Sequence, residues 1–173
     1  MLDEIYRKKC LVFGCGNPLI GDDGFGPEVI RHLEGKDPLP EVAACLDVGT
    51  SIRDILFDFL LSESKPELIV IVDAMEIQGA APGEIFEIDV ADIPPAKICD
   101  FSLHQFPTTN MLREIRDQTE IDVRVFVVQT TGLPAEVCPG LSKPVAAAVP
   151  VMCERIRGLI RERFSDAAVE GTP

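Results

Sequence analysis

Two adjacent aspartates, Asp22 and Asp23, close a glycine loop that reads GCGNPLIGDDGFG over residues 14–26. A third aspartate, Asp73, follows the apolar run LIVIV, and His104 lies in the stretch FSLHQF. Two carboxylates and an imidazole from three separate loops make an oxygen-rich donor set that suits a borderline divalent ion such as nickel, zinc or iron. Such a set leaves coordination positions open and is too small and too hard for a closed structural zinc site. The spacing does not name the metal. Taken singly, each residue has a plainer reading. Asp22 suits a structural role as a helix cap, with acidic charge at the helix's positive end. An Asp after a strand is commonly a turn former, and a lone loop His a hydrogen-bonded surface group.

The loop fails the usual phosphate-binding patterns. A dinucleotide fingerprint needs a third glycine three residues after the second, whereas Gly16 is followed by Asn17, Pro18 and Leu19. No Gly-Lys-Ser/Thr closes it, and two aspartates at a helix N-terminus oppose a phosphate. Nucleophilic chemistry also finds little support. Cys15 sits in the loop, but an active thiol needs a base and an orienting group, and the two histidines of the chain are His32 and His104. There is no H-E-x-x-H helix and no evident serine triad.

The elements that must position these residues alternate. Strand-like runs occur at 10–14, 41–48, 67–74, 83–90 and 122–130, with helical patterns at 26–35, 50–62, 108–118 and in the segment ending at Phe164. In that last segment Pro150 should either start the regular helix or kink one that precedes it. The run LIVIV is typical of a strand covered on both faces, so the expected fold is three-layer α/β around a mostly parallel sheet. The segment GEIFEIDV follows its predecessor too closely for a helical crossover, and is expected antiparallel or at an edge. In such sheets ligands bind beyond the carboxyl ends of the strands, where the glycine loop, Asp47 with Gly49 and Thr50, and Asp73 with Glu76 are all expected. A single domain over 1–164 is expected, with SDAAVEGTP (165–173) as a disordered tail.

The chain has 173 residues and a net charge of −13. That balance disfavours nucleic acid and anionic bilayers as partners. With no apolar run of membrane-spanning length and no signal-peptide pattern, a cytoplasmic protein is expected. The six cysteines show no C-x-x-C pair and are read as reduced, Cys10 and Cys45 as small buried hydrophobes. His32 and the charge-rich ERIRGLIRERF are read as parts of ordinary amphipathic helices. Phe101 and Phe106 are read as anchors for the His104 loop.

GCGNPLIGDDGFGPEVI, DVGT, VDAMEIQGAAPGEIFEI and SLHQF, in this order and at these intervals, resemble the hydrogenase maturation endopeptidases. The likeness runs from Cys10 to about Phe164, and HQF is most similar to members dedicated to coenzyme F-420-reducing hydrogenases. The resemblance implies an α/β/α fold with a mainly parallel, twisted five-stranded sheet. It places the family's three metal-contacting residues on Asp23, Asp73 and His104. It also implies an endopeptidase that removes a C-terminal extension from the nickel-loaded large-subunit precursor of a nickel-iron hydrogenase. Nickel then arrives with the precursor, and no organic cofactor is expected. Asn17 and the loop amides are candidates for holding the oxyanion, with Gly49 and Thr50 facing the substrate. Val48 departs from the G-G-T often found in that second loop. Two rivals are a nickel-sensing chaperone that docks on the precursor without cutting, and a flavodoxin-like cofactor binder. The latter would have to manage without Trp and with Tyr6 as its one tyrosine.

Overall fold

A computed structural model describes residues 2–5, 7–35, 37–62, 64–90 and 108–165. The strands are β1 (Cys10–Cys15), β2 (Ala43–Gly49), β3 (Leu68–Met75), β4 (Ile85–Ile88) and β5 (Asp122–Gln129). The helices are α1 (Leu2–Ile5), α2 (Phe25–Leu33), α3 (Ile52–Leu61), α4 (Thr108–Gln118) and α5 (Lys143–Phe164). A single 3-10 turn, Gly21–Gly24, joins the glycine loop to α2. Among the described residues no helix is long and apolar enough to cross a membrane.

The sheet order is β2-β1-β3-β5-β4, parallel except for the antiparallel β4–β5 pair. Strand β3 alternates between two cores, as a strand covered on both faces must. Leu68, Val70 and Val72 face α2 and α5, whose Val29, Ile30, Val149 and Ile156 lie in the same cluster. Ile69 and Ile71 face α3 and α4, represented by Leu56, Phe59, Leu112 and Ile115. The chain leaves β1 through α2 toward β2, then returns through α3 to β3 on the other side of β1. With crossovers of one hand, that reversal puts α2 and α3 on opposite faces and opens a crevice between the carboxyl ends of β1 and β3.

β4 is antiparallel and at the sheet edge, as expected, and pairs with β5, which inserts between it and β3, so the short connection after Met75 passes beyond the β5 position. Asp73 lies within β3, as the run 67–74 implies. The end of the chain differs from expectation. Pro150 neither starts α5 nor bounds it: the helix begins at Lys143, with Pro144 in its first turn, and runs on through Pro150. Proline is tolerated in a first turn, whose N–H groups have no intrahelical acceptor. Ser165 still belongs to a helical turn and the rest of the expected tail, 166–173, lies outside the described residues.

The glycines are explained by close packing. A Cβ on Gly26 would lie 2.2 Å from the Cys15 carbonyl oxygen and 2.7 Å from that of Val72, so α2 docks with its backbone directly against β1 and β3. A Cβ on Gly16, whose φ is +125°, would sit 1.9 Å from the carbonyl oxygen of Asp23. Gly26→Ala must therefore push backbone against backbone, at a cost of about 3 kcal/mol. The melting temperature should fall by roughly 6–12 °C. An unchanged midpoint in thermal unfolding followed by circular dichroism would contradict this account of α2 docking.

Candidate active site at the β1–β3 edge

Asp23 projects from the 3-10 turn and is 1% exposed, while Asp73, near the end of β3, is 5% exposed. The Asn17 N–H donates to Asp23 Oδ2 at 2.8 Å, and the Ala74 N–H donates to Asp73 Oδ1 at 2.8 Å. Burial, and secondarily the nearby Asp23 charge, raise the Asp73 carboxyl from 3.8 to about 7. Asp73 shares parity with Ile69 and Ile71, and so belongs to the face that α3 and α4 cover. Two carboxylates, one from the 3-10 turn after β1 and one from β3, thus converge, mostly dried, where their charges oppose each other. A divalent cation relieves that repulsion, so the pair fits a metal ion.

His104 and Gln105, together with Phe101 and Phe106, lie outside the described residues, in the segment just before α4. Among the described residues no group of three His, Cys, Asp or Glu side chains forms a metal-holding cluster.

Asp22 is structural, as the sequence suggested, but not as a helix cap: neither the 3-10 turn nor α2 has a side-chain cap. Its Oδ2 accepts from the Thr131 N–H at 2.9 Å, the Thr131 hydroxyl at 2.8 Å and the Ser142 hydroxyl at 3.0 Å; its Oδ1 accepts from the Ser142 N–H at 2.7 Å. Burial alone would raise its pKa, but these hydrogen bonds outweigh burial and hold the carboxyl below its ordinary 3.8. Asp22 therefore ties the turn carrying Asp23 to the connection between β5 and α5. Sequence reading missed Thr131 and Ser142 because they stand more than a hundred residues away and have no motif of their own.

The remaining predicted residues assemble around this edge. Asn17 is half-buried, and its Oδ1 accepts from the Leu19 N–H at 3.0 Å, which fixes the loop as an Asx turn. The Gly16 N–H donates to the Gly49 carbonyl at 3.0 Å, linking the glycine loop to the β2 end. Gly49 has φ +52°, and its N–H donates to Asp47 Oδ1 at 2.9 Å. Thr50 is exposed beside it. Cys15 is buried, and burial, then Asp73, Asp47 and Asp23, push its pKa well above 9.0. A thiol held protonated cannot serve as the nucleophile. A separate crevice of about 600 Å³, lined by Lys65, Glu67, Gln118 and Arg163, lies at the amino ends of β3 and β5.

The same architecture occurs in known proteins. The hydrogenase maturation endopeptidase HybD of Escherichia coli superposes with a TM-score of 0.72 at 26% identity, covering 90% of this chain and 93% of that one. A Methanocaldococcus jannaschii protein assigned as a hydrogenase maturation protease is 36% identical over 160 residues, 90% of this chain and 99% of its own length. The coenzyme F-420 hydrogenase subunit delta of Methanothermobacter thermautotrophicus is 36% identical over 149 residues, 84% of this chain and 90% of its own. The HycI family profile, described as hydrogenase maturation protease, matches residues 27–158. With a mostly parallel five-stranded α/β fold and relatives named as proteases, not chaperones, the chain belongs to the hydrogenase maturation protease family.

Proposed function

We propose that this protease removes a C-terminal extension from the nickel-loaded large-subunit precursor of a nickel-iron hydrogenase, using Asp23, Asp73 and His104 to contact the nickel that the precursor carries. The observation that carries the reading is the pair of buried, mutually repelling carboxylates at the β1–β3 edge. Two carboxylates and one imidazole hold an ion weakly until the precursor supplies further ligands, so the metal arrives as part of the substrate. Once there, it orients the adjoining peptide and polarises the scissile carbonyl toward attack by water. Asn17 and the neighbouring loop amides lie beside Asp23, where an oxyanion could be held. The Asp47–Thr50 loop supplies substrate contacts at the rim.

The HQF stretch and the likeness to the F-420 hydrogenase subunit delta favour the precursor of a coenzyme F-420-reducing hydrogenase. The net negative charge favours a cytoplasmic role without nucleic acid or an anionic membrane as partner.

The test is the intact mass of the large-subunit precursor after incubation with the protein. A C-terminal peptide should be lost from the nickel-loaded precursor and not from the nickel-free form. His104→Ala should slow its release on the order of 10²–10³-fold, as losing a group that acts on the reacting centre does. A complex that forms without any change in mass would overturn the endopeptidase reading in favour of a docking role.

A further inference from the structure

Most large apolar side chains of this protein are buried, yet Leu19 is 51% and Val137 68% exposed. They come from segments far apart in sequence that are clipped together. The Cys138 N–H donates to the Leu19 carbonyl at 2.9 Å, and the Gly21 N–H donates to the Cys138 carbonyl at 2.8 Å. Ile20 and Cys138 form a parallel bridge. Pro134 braces this join, its Cδ 3.0 Å from where a Cβ on Gly21 would stand. The result is a fixed ledge of two apolar side chains.

The ledge is continuous with the carboxylate edge. The Leu19 N–H donates to Asn17 Oδ1, the Asn17 N–H to Asp23 Oδ2, and the Asp23 N–H to the Ile20 carbonyl. An unbroken run of hydrogen bonds thus joins the ledge to Asp23. Residues 14–21 and 137–142 include no charged residue, in a chain that carries 29 acidic ones. An uncharged, apolar and pre-formed surface beside a pair of carboxylates selects a partner segment that is itself uncharged and apolar, since a charged one would be desolvated without compensation.

We infer that Leu19 and Val137 form a specificity ledge that binds an uncharged, apolar segment of the precursor next to its scissile bond. The inference rests on the endopeptidase reading for the identity of the partner. Phe57 and Leu61, exposed on α3, and Val151, exposed on α5, have no such link to the site and serve as comparison positions.

The experiment measures both calorimetric binding of the nickel-loaded large-subunit precursor and its processing by intact mass. It compares the wild type, Leu19→Ser/Val137→Ser, Leu19→Met/Val137→Ile and Phe57→Ser/Leu61→Ser, with thermal midpoints for each. The ledge double variant should keep its midpoint, because both side chains are exposed. It should bind the precursor about ten- to thirtyfold more weakly and raise KM by the same factor with kcat within about twofold, as losing apolar area that only the complex buries predicts. The Met/Ile variant should restore binding, and the α3 variant should match the wild type. Unchanged binding by the ledge variant, an equal loss in the α3 variant, or a loss confined to kcat would overturn the inference. A wild type that binds without cleaving would overturn the endopeptidase reading alone, since the binding comparison still decides the ledge. A wild type that does not bind at all would overturn both.

Discussion

Replacing Asp73 with Asn is expected to stabilise the metal-free protein while abolishing processing. Burial and the Asp23 charge raise this carboxyl from 3.8 to about 7, so its ionised form is disfavoured in the native state by roughly 4 kcal/mol. Below pH 3.8 the carboxyl is protonated whether the chain is folded or not, and the penalty is absent. Between pH 3.8 and 7 the unfolded chain ionises while the native one stays protonated, and the penalty grows. Above about pH 7 it is fully present. Asn keeps the shape, and its Oδ1 can still accept from the Ala74 N–H. At pH 8 the variant should therefore be more stable by roughly 2–4 kcal/mol, with a melting temperature about 5–10 °C higher. The gap should close toward pH 4. Release of the C-terminal peptide should fall on the order of 10²–10³-fold if Asp73 contacts the nickel as proposed, because a neutral amide is a poor partner for that ion. Thermal melts at pH 4, 6 and 8 in the presence of a chelator decide the stability half. A variant less stable than wild type at pH 8 would contradict the picture of two repelling carboxylates held ready for a cation. Stability given up at a functional site in this way is the ordinary cost of pre-organisation.

Asp22, next to Asp23, should behave in the opposite sense. Its removal as Asp22→Ala leaves the part-buried Thr131 and Ser142 N–H groups without their acceptor and should cost about 2–3 kcal/mol at pH 7, among the larger effects of any single substitution here. The native pKa is lowered, so the stabilisation is present above the unfolded value of 3.8 and is lost as pH falls through the lower native value. The difference between wild type and Asp22→Ala in urea denaturation should thus narrow below pH 3.8. Asp22→Asn, which retains one acceptor, should cost about half as much. Processing should also suffer, since the turn that carries Asp23 loses its tie to the β5–α5 connection. Equal stability of Asp22→Ala and wild type at pH 7 would sink this assignment.

The contrast between these neighbours shows where sequence reading stops. Sequence alone determined the α/β alternation, because an apolar run such as Leu68–Val72 needs cover on both faces and helices with single apolar stripes supply it. It also determined that acidic residues gather at the carboxyl ends of β1 and β3, since those positions follow from where each apolar run stops. Spacing further ruled out the phosphate-loop readings of residues 14–26. Motif order, by way of resemblance, pointed to the family before any geometry was known.

Tertiary structure decided the rest, because the deciding contacts join residues remote in the chain. Only the strand order reveals that β5 inserts between β3 and β4, a choice made by side-chain packing on both faces and not by any local signal. Only the folded chain shows that Gly16 and Gly26 serve backbone approach, against Asp23 and against Cys15 and Val72, and that Asp22 is a clasp on Thr131 and Ser142 instead of a helix cap. The chemistry of two identical side chains was settled in the same way. Asp22 and Asp73 are both buried aspartates, but one is surrounded by four donors and the other by apolar strands and a like charge. Donors stabilise a carboxylate and a dry, negative surrounding destabilises it, so environment, which the sequence does not contain, assigns one to the scaffold and makes the other fit for a metal.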